Sequence, residues 1–277
     1  MPENLTSILD KLKQERGIDF SGYRANTLKR RISFRLAKLG IEDYSRYLEI
    51  LENDPAECDT LIDTIAINVS SFFRDPMVCE VLAQTILPQI IEMKNRKGSK
   101  EIRIWSAGCA SGEEPYSLAI LAAEALKKET SQWNVHVFGT DIDKESLRQA
   151  EKASYSRESL LNTKLGLLDE YFHFQKNRYL VKPEIQKMVR FSNDDLTSTT
   201  TFAPKESVFG EFDIILCRNV LIYFNAELQN RVMHKFVRSL NSAGYLILGD
   251  AERLDVEISS RFQVVDSRNK IYKKRRA

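Results

Sequence analysis

The hydrophobic period of this chain changes near residue 98, and that change limits it to a helical front joined to an α/β body. Before it, apolar residues recur three and four positions apart. Leu5, Ile8, Leu9 and Leu12 form one stripe, Leu28, Ile32, Leu36 and Leu39 a second, and Tyr44, Tyr47, Leu48 and Leu51 a third. Each is one face of a helix. Gly17, Gly22 and Gly40 punctuate them, while Asp54-Pro55 ends the third and leads into another helix near 56–66. No strand pattern occurs in the first eighty residues. Past Lys97-Gly98-Ser99 the period shortens, and apolar strands alternate with helices. The strands are EIRIWSA (101–107), VHVFGT (135–140), MVRFS (188–192), FDIILC (212–217) and YLILG (245–249). Helices are expected over 115–127, 143–152 and 226–240. That alternation predicts a doubly wound, mostly parallel sheet. FQVVD (262–266) and KIYKK (270–274) read as a closing hairpin at one sheet edge. Between Tyr171 and Phe191 apolar and polar residues alternate around a turn near Lys176-Asn177, which predicts a small antiparallel excursion.

Composition removes several classes. With 43% apolar residues the chain can bury a large core, so wholesale disorder is excluded. The 41 basic and 39 acidic residues nearly cancel, so no global field marks a nucleic-acid binder and any electrostatic recognition has to be local. Cys58, Cys79, Cys109 and Cys217 are far apart with no C-x-x-C pair, which predicts a reducing compartment without disulfides or structural zinc. The first residues lack an apolar leader segment and no apolar run reaches membrane-spanning length, so a cytoplasmic location without membrane insertion is expected.

The segment WSAGCASGEEPYS (105–117) is the most informative. A strand runs into a loop of small residues, Gly108, Ala110 and Gly112, and Glu113-Glu114-Pro115 opens a helix. This is neither G-x-G-x-x-G nor a P-loop, and two carboxylates stand where a pyrophosphate needs bare N–H groups. They suit a ligand that is cationic there and carries no phosphate, as S-adenosylmethionine is. Taken alone, the corner reads equally well as an ordinary strand–loop–helix junction. In FGTDID (138–143), Asp141 ends the second strand where α/β nucleotide folds place an acid for ribose hydroxyls, and either Asp141 or Asp143 can cap the next helix. The third strand exits into Ser192-Asn193-Asp194-Asp195-Leu196, the fourth into CRNVLIYF (217–224). Ligands in such sheets lie beyond the carboxyl ends of the strands, so these exits converge on one crevice.

Together, NVSSFFRD (68–75), WSAGCASGEEPYSLAI (105–120), FGTDID (138–143), CRNVLIYF (217–224) and GYLILGDAE (244–252) resemble the CheR family of chemotaxis-receptor methyltransferases, over nearly the whole chain. The resemblance implies an S-adenosylmethionine-dependent (Rossmann-like) methyltransferase fold with an N-terminal all-α domain, taken as residues 1–80. The methyltransferase domain follows over 81–277, with a small inserted β-subdomain near 171–191. It implies protein-glutamate O-methylation of the cytoplasmic helical region of methyl-accepting receptors, with S-adenosylhomocysteine as product and no metal. Asn68, Ser70 (where Thr is common) and Arg74 match the family's cofactor segment. Gly108 and Glu113 match the loop and its acid, Asp141 the ribose acid. Asp195-Leu196 matches the adenine-side pair, where Asn-Leu is common, and Asn219-Val220 the fourth-strand segment. The resemblance places Arg74 and Tyr223 near the reactive methyl group.

Methyl transfer to a carboxylate needs no general base, because a glutamate with pKa about 4.3 is ionised at neutral pH. His136, His173 and His234 accordingly read as packed or surface residues. From Phe20 to Ile41 there are six basic residues and no acidic one; Arg24, Arg31, Arg35 and Lys38 fall within an arc of roughly 60° on a helix over 24–39. Such a stripe suits a glutamate-dense partner helix, with nucleic acid as the competing partner. The β excursion offers an edge for strand addition by a receptor tail, but it lacks a Gly-rich turn, and the reading leans against a tether. A monomer is expected. The competing functions are a non-catalytic cofactor-binding regulatory module, and methylation of RNA or a small molecule; no Asn-Pro-Pro-Tyr-like motif follows the fourth strand to support an amine target.

Overall fold

The computed structural model describes residues 3–66, 70–207 and 211–276. The chain divides into two compact units, one of residues 1–67 with 220–232, the other of 68–219 with 233–277.

The first unit is built on four helices, α1 (Glu3–Arg16), α2 (Ala25–Lys38), α3 (Tyr44–Asn53) and α4 (Pro55–Ile65). The three stripes legible in the sequence are its core: Leu5, Ile8, Leu12, Leu28, Ile32, Tyr47 and Leu51 are each no more than 1% exposed. Leu39 is exposed at 39%, because α2 ends at Lys38 and the stripe outruns its helix by one residue, and Tyr44 and Leu48 are half-buried against the core. Asp54 performs both jobs that the sequence suggests, ending α3 and accepting a hydrogen bond from Ala56 N at the start of α4, with Pro55 in the first turn. Asp43 caps α3 through Ser45 and Arg46 N–H groups. Inside the bundle, Arg35 Nε and Nη2 donate to Glu57 Oε1 and Oε2 at 2.7 and 2.6 Å, and Tyr47 Oη donates to Glu57 Oε1 at 2.6 Å.

The returning segment 220–232 belongs to this unit. Arg24 N donates to Tyr223 O at 2.8 Å, Asn225 N donates to Gly22 O at 2.8 Å, and Tyr23 stacks edge-on against Phe224. Gly22 has no room for a Cβ, which would lie 2.6 Å from Leu228.

In the second unit a seven-stranded sheet runs β6 (Val189–Asn193), β2 (Asn134–Asp141), β1 (Glu101–Ala107), β7 (Phe212–Cys217), β8 (Leu240–Leu248), β10 (Ile271–Lys274), β9 (Phe262–Asp266). The first five are mutually parallel; β10 is antiparallel to β8 and to β9, as the closing hairpin predicts. β7 is buried at every residue, the mark of a central strand covered on both faces. Trp105 packs between Phe212 and Phe236. The helices α7 (Glu113–Leu126), α8 (Lys144–Lys152) and α9 (Ala226–Ser239) follow β1, β2 and β7. The sequence division was drawn near residue 80. The helical stretch from Pro76 to Arg96 (α5 Pro76–Val81, a π turn Leu82–Ile86, α6 Leu87–Arg96) packs Val78, Leu82, Ile86, Leu87 and Ile90 into the core of the second unit.

The antiparallel excursion is a three-stranded sheet in the order β3 (Ser154–Tyr155), β5 (Arg178–Val181), β4 (Phe172–Gln175). Its turn falls at Lys176 and Asn177, both with positive φ, the geometry of a type I′ hairpin. Its limits differ from 171–191. The third strand comes from upstream at 154–155, while 189–193 joins the main sheet as β6. No helix among the described residues is long and apolar enough to cross a membrane.

Candidate active site

The adjacent parallel strands β6, β2, β1 and β7 all point their carboxyl ends the same way, and the loops that follow them carry the candidate residues. The loop after β1 is held from below. Gly108 N and Cys109 N donate to Thr140 O at 2.8 and 3.0 Å, Ala110 N donates to Asp141 Oδ2 at 2.8 Å, and Tyr155 Oη donates to Ser111 O at 2.8 Å. Gly108, Ala110 and Gly112 all have positive φ. At Gly112 (φ +91°) glycine is required twice over, since a Cβ would lie 2.7 Å from Ala150 Cβ and 3.0 Å from the Phe191 ring. Helix α7 then starts at Glu113, so Pro115 is its third residue rather than its first. Proline fits anywhere in the first turn, where N–H groups have no helical acceptor.

Both acids of that first turn are perturbed. Burial pushes Glu113 above the usual carboxylate range, with hydrogen bonds from Ser70 and Ser159 opposing. Its Oε2 is buried and has no hydrogen-bond partner. Burial likewise pushes Glu114 up, against the hydrogen bond from Ser106 Oγ (2.7 Å) and the charges of Arg218 and Arg74. The two aspartates of the second strand divide the work that the sequence left open. Asp143 caps α8, accepting from Glu145 N, Ser146 N and Ser146 Oγ. Asp141 is 8% exposed and braces the glycine loop, with Ala110 N on one oxygen and Asp143 N on the other. Burial pushes its pKa up and those two N–H groups pull it back. A carboxylate has about four acceptor positions, so lone pairs remain for further donors.

Beyond β6, Asn193 Nδ2 bridges Asp141 O and Ile142 O at 3.0 and 2.8 Å, tying two strand exits together. No motif in the sequence marked that role. Asp195 closes its own turn by accepting from Thr197 N at 2.8 Å, and Leu196 is buried. Asp194 is buried with an unpartnered Oδ2; burial raises its pKa, and the charge of Lys235 opposes the rise. Beyond β7, Asn219 has φ +60°, and Gly249 leaves it space, since a Cβ there would lie 2.8 Å from Asn219 N.

Arg74 is exposed on a turn whose neighbours Phe72 and Phe73 are buried. Arg218 donates from Nη1 to Asp75 Oδ2 at 2.6 Å and from Nε to Leu248 O at 3.3 Å. Ser70 has its place beside Glu113; Asn68 lies outside the described residues.

Two sets of candidates belong to the first unit. Val220 and Tyr223 sit in the returning segment, Tyr223 half-buried in a 3-10 turn over Leu221–Tyr223. Of the basic stripe, Lys38 is exposed and Arg31 half-buried. Arg24 is bonded through Nε to Phe224 O at 3.1 Å. Arg35 departs from the stripe: its guanidinium turns inward onto Glu57, with 12% of the side chain exposed, so it offers no charge to a docking partner. A helical wheel fixes the direction of a Cβ, not the course of a long side chain that finds a buried carboxylate one helix away.

A parallel sheet with these strand exits, a glycine loop without a phosphate cradle and buried acids at the helix start define the S-adenosylmethionine-dependent methyltransferase class. Residues 68–271 match the family model described as CheR methyltransferase, SAM binding domain, and residues 3–66 match CheR methyltransferase, all-alpha domain. The chain belongs to the CheR methyltransferase family. Among its relatives is the chemotaxis protein methyltransferase of Salmonella typhimurium, 33% identical over 261 residues, covering 91% of this chain and 85% of that one. The chemotaxis protein methyltransferase of Borreliella burgdorferi is 32% identical over 241 residues, covering 86% and 83%. An uncharacterized 104.1 kDa protein of Rhodobacter capsulatus is 30% identical over 270 residues; these are 98% of this chain but 27% of that protein, so the chain spans about a quarter of its length.

Proposed function

We propose that this chain transfers the methyl group of S-adenosylmethionine to glutamate side chains of methyl-accepting chemotaxis receptors, giving glutamate methyl esters. Family membership and the names of the relatives support the reaction. The observation that carries the cofactor is Glu113, a buried carboxylate with one oxygen lacking a partner, at a helix start where a phosphate ligand would meet bare N–H groups. An ammonium group completes such an oxygen, so the residues present fit this cofactor. Ser70, the Gly108–Gly112 loop, Glu113, Asp141, Asp195, Leu196 and Asn219 would hold it, with Asn68, Arg74 and Val220 carried over from the family pattern.

When bound, the cofactor supplies an electrophilic methyl on a cationic sulfur, so that a carboxylate oxygen–carbon bond forms as the carbon–sulfur bond breaks and no proton moves. What the protein adds is alignment and exclusion of water. The exposed Arg74 guanidinium can take a carboxylate on two parallel N–H groups and fix its attacking oxygen; a part for Tyr223 in the reaction is carried over from the family pattern. The glutamate arrives ionised, so no residue has to act as a base.

Recognition of an acidic receptor helix falls to the outward face of α2, where Arg30 and Lys38 are exposed beside Phe34, itself 61% exposed. Arg24 and the half-buried Arg31 border this face, and Arg35 is not part of it. Incubation with methyl-labelled S-adenosylmethionine and receptor-rich membranes tests the function. Base-labile label on the receptors supports it, and label on RNA, or none, rejects it. Lys38→Glu with Arg30→Glu is expected to lower that labelling while leaving S-adenosylhomocysteine affinity unchanged; unaltered labelling would remove α2 from recognition.

A further inference from the structure

The turn that presents Arg74 is strained and is held at every residue around it. Phe73 (φ +49°) and Asp75 (φ +59°), the residues on either side of Arg74, are both left-handed and neither is glycine. Such backbone persists only where the surroundings over-determine it. On the upstream side the restraints are plain. Phe72 N donates to Ser159 O at 2.8 Å, and Phe73 N donates to Ser117 Oγ at 3.0 Å, whose hydroxyl donates in turn to Glu113 O at 2.6 Å. The rings of Phe72 and Phe73 are buried, so this half cannot swing.

On the downstream side the restraint comes from across the sheet. Arg218 directly follows β7, with 4% of its side chain exposed, and its Nε donates to the last carbonyl of β8, Leu248 O, at 3.3 Å. Clamped between two strand ends, the guanidinium reaches Asp75 Oδ2 at 2.6 Å. Asp75 O accepts the first helical bonds of α5, from Val78 N and Cys79 N, and Pro76 fixes the next φ. Asp75 therefore joins the turn to the helix, and Arg218 ties that junction to the sheet.

We propose that Arg218 is a positioning residue for methyl transfer: through Asp75 it holds the left-handed turn in the one geometry that aims Arg74 at the substrate carboxylate. The inference rests on the function proposed above and assigns Arg218 a part in it. Arg218 touches neither substrate nor cofactor in this role; it acts through Arg74. Arginine suits this role, since one rigid planar fork serves the carbonyl and the carboxylate together.

The test is a double-substitution cycle on the full-length protein, read as base-labile methyl incorporation into receptor-rich membranes, with S-adenosylhomocysteine binding measured alongside by calorimetry. Arg218→Met is expected to lower kcat/KM on the order of tenfold to a hundredfold while cofactor affinity stays within twofold. Asp75→Asn, which keeps the shape and an oxygen to accept from Arg218 but removes its counter-charge, is expected to do the same to a smaller degree. In an Arg74→Lys background, Arg218→Met is expected to cost less than twofold more, because the residue it positions is already altered. Full multiplication of the two losses overturns the proposal, and so does a loss of cofactor affinity that parallels the loss of rate, in either the Arg218 or the Asp75 variant. No base-labile label from the unaltered protein would instead refute the function itself.

Discussion

Replacing Arg35 with methionine is expected to remove a large part of the stability of the helical unit, although Arg35 sits in what reads as a surface charge run. Glu57 is buried, with 7% of its side chain exposed, and its charge is met by the Arg35 fork at 2.7 and 2.6 Å and by the Tyr47 hydroxyl. Removing one partner of such a pair costs about 3–5 kcal/mol, because the other charge stays buried and unpaired. A unit of about 80 residues has on the order of 4–12 kcal/mol in total. The loss is thus a large part of the whole.

The pH dependence supplies a second signature. Burial alone would raise the pKa of Glu57, but the hydrogen bonds from Arg35 and Tyr47 outweigh it and hold the carboxyl below its usual value. A depressed folded pKa contributes stability above the unfolded value, near 4.3, and loses it as pH falls through the folded one. In the variant burial acts unopposed by the guanidinium. The difference between wild type and variant is therefore expected to be largest near pH 7 and to shrink below about pH 4. Urea unfolding followed by far-UV circular dichroism at both pH values reads this. A loss under about 1 kcal/mol at pH 7, or one that grows on acidification, would refute the reasoning. Lys38→Met in the same assay is expected to stay within about 0.5 kcal/mol, as an exposed residue should.

Glu113→Gln is expected to weaken S-adenosylhomocysteine binding roughly tenfold to a hundredfold, the scale of a lost hydrogen bond to a charged group. Because the folded pKa of Glu113 is raised, the unaltered protein is expected to lose affinity as pH falls through that raised value, while the variant stays flat; calorimetry from pH 5 to 8 separates the two. Gly112→Ala forces a Cβ into φ +91° and within 2.7 Å of Ala150, so a destabilisation of about 1–3 kcal/mol with loss of cofactor binding is expected in thermal unfolding and calorimetry. Asp54→Ala removes the acceptor for Ala56 N, and about 1 kcal/mol should be lost in urea unfolding of the helical unit, without change in cofactor affinity.

Elements defined by period and punctuation were legible in the chain itself. β1 and β7 lie where their apolar runs lie, and Asp54-Pro55 turns one helix into the next, because burial and capping act over a few residues. The glycine loop and its acids were legible for the same reason: a tight approach and a helix start are written in adjacent positions. The edges of the small sheet were not, since β3 comes from residues 154–155 and pairs with a strand more than twenty positions away. Partners across sequence were hidden as well. Nothing near Arg35 names Glu57, nothing near Asp141 says that its first duty is to Ala110, and nothing near Arg218 names Asp75.

The sequence by itself determined which faces are apolar, where helices start and stop, and that acids follow the glycine loop where a phosphate-binding loop has none. Those properties reside in local backbone preference and in side-chain polarity. Only the tertiary structure decided which charges are paired inside and which remain outside to work. A buried ion pair is chosen by the distance between side chains after packing, and that distance has no counterpart in the spacing of residues along the chain.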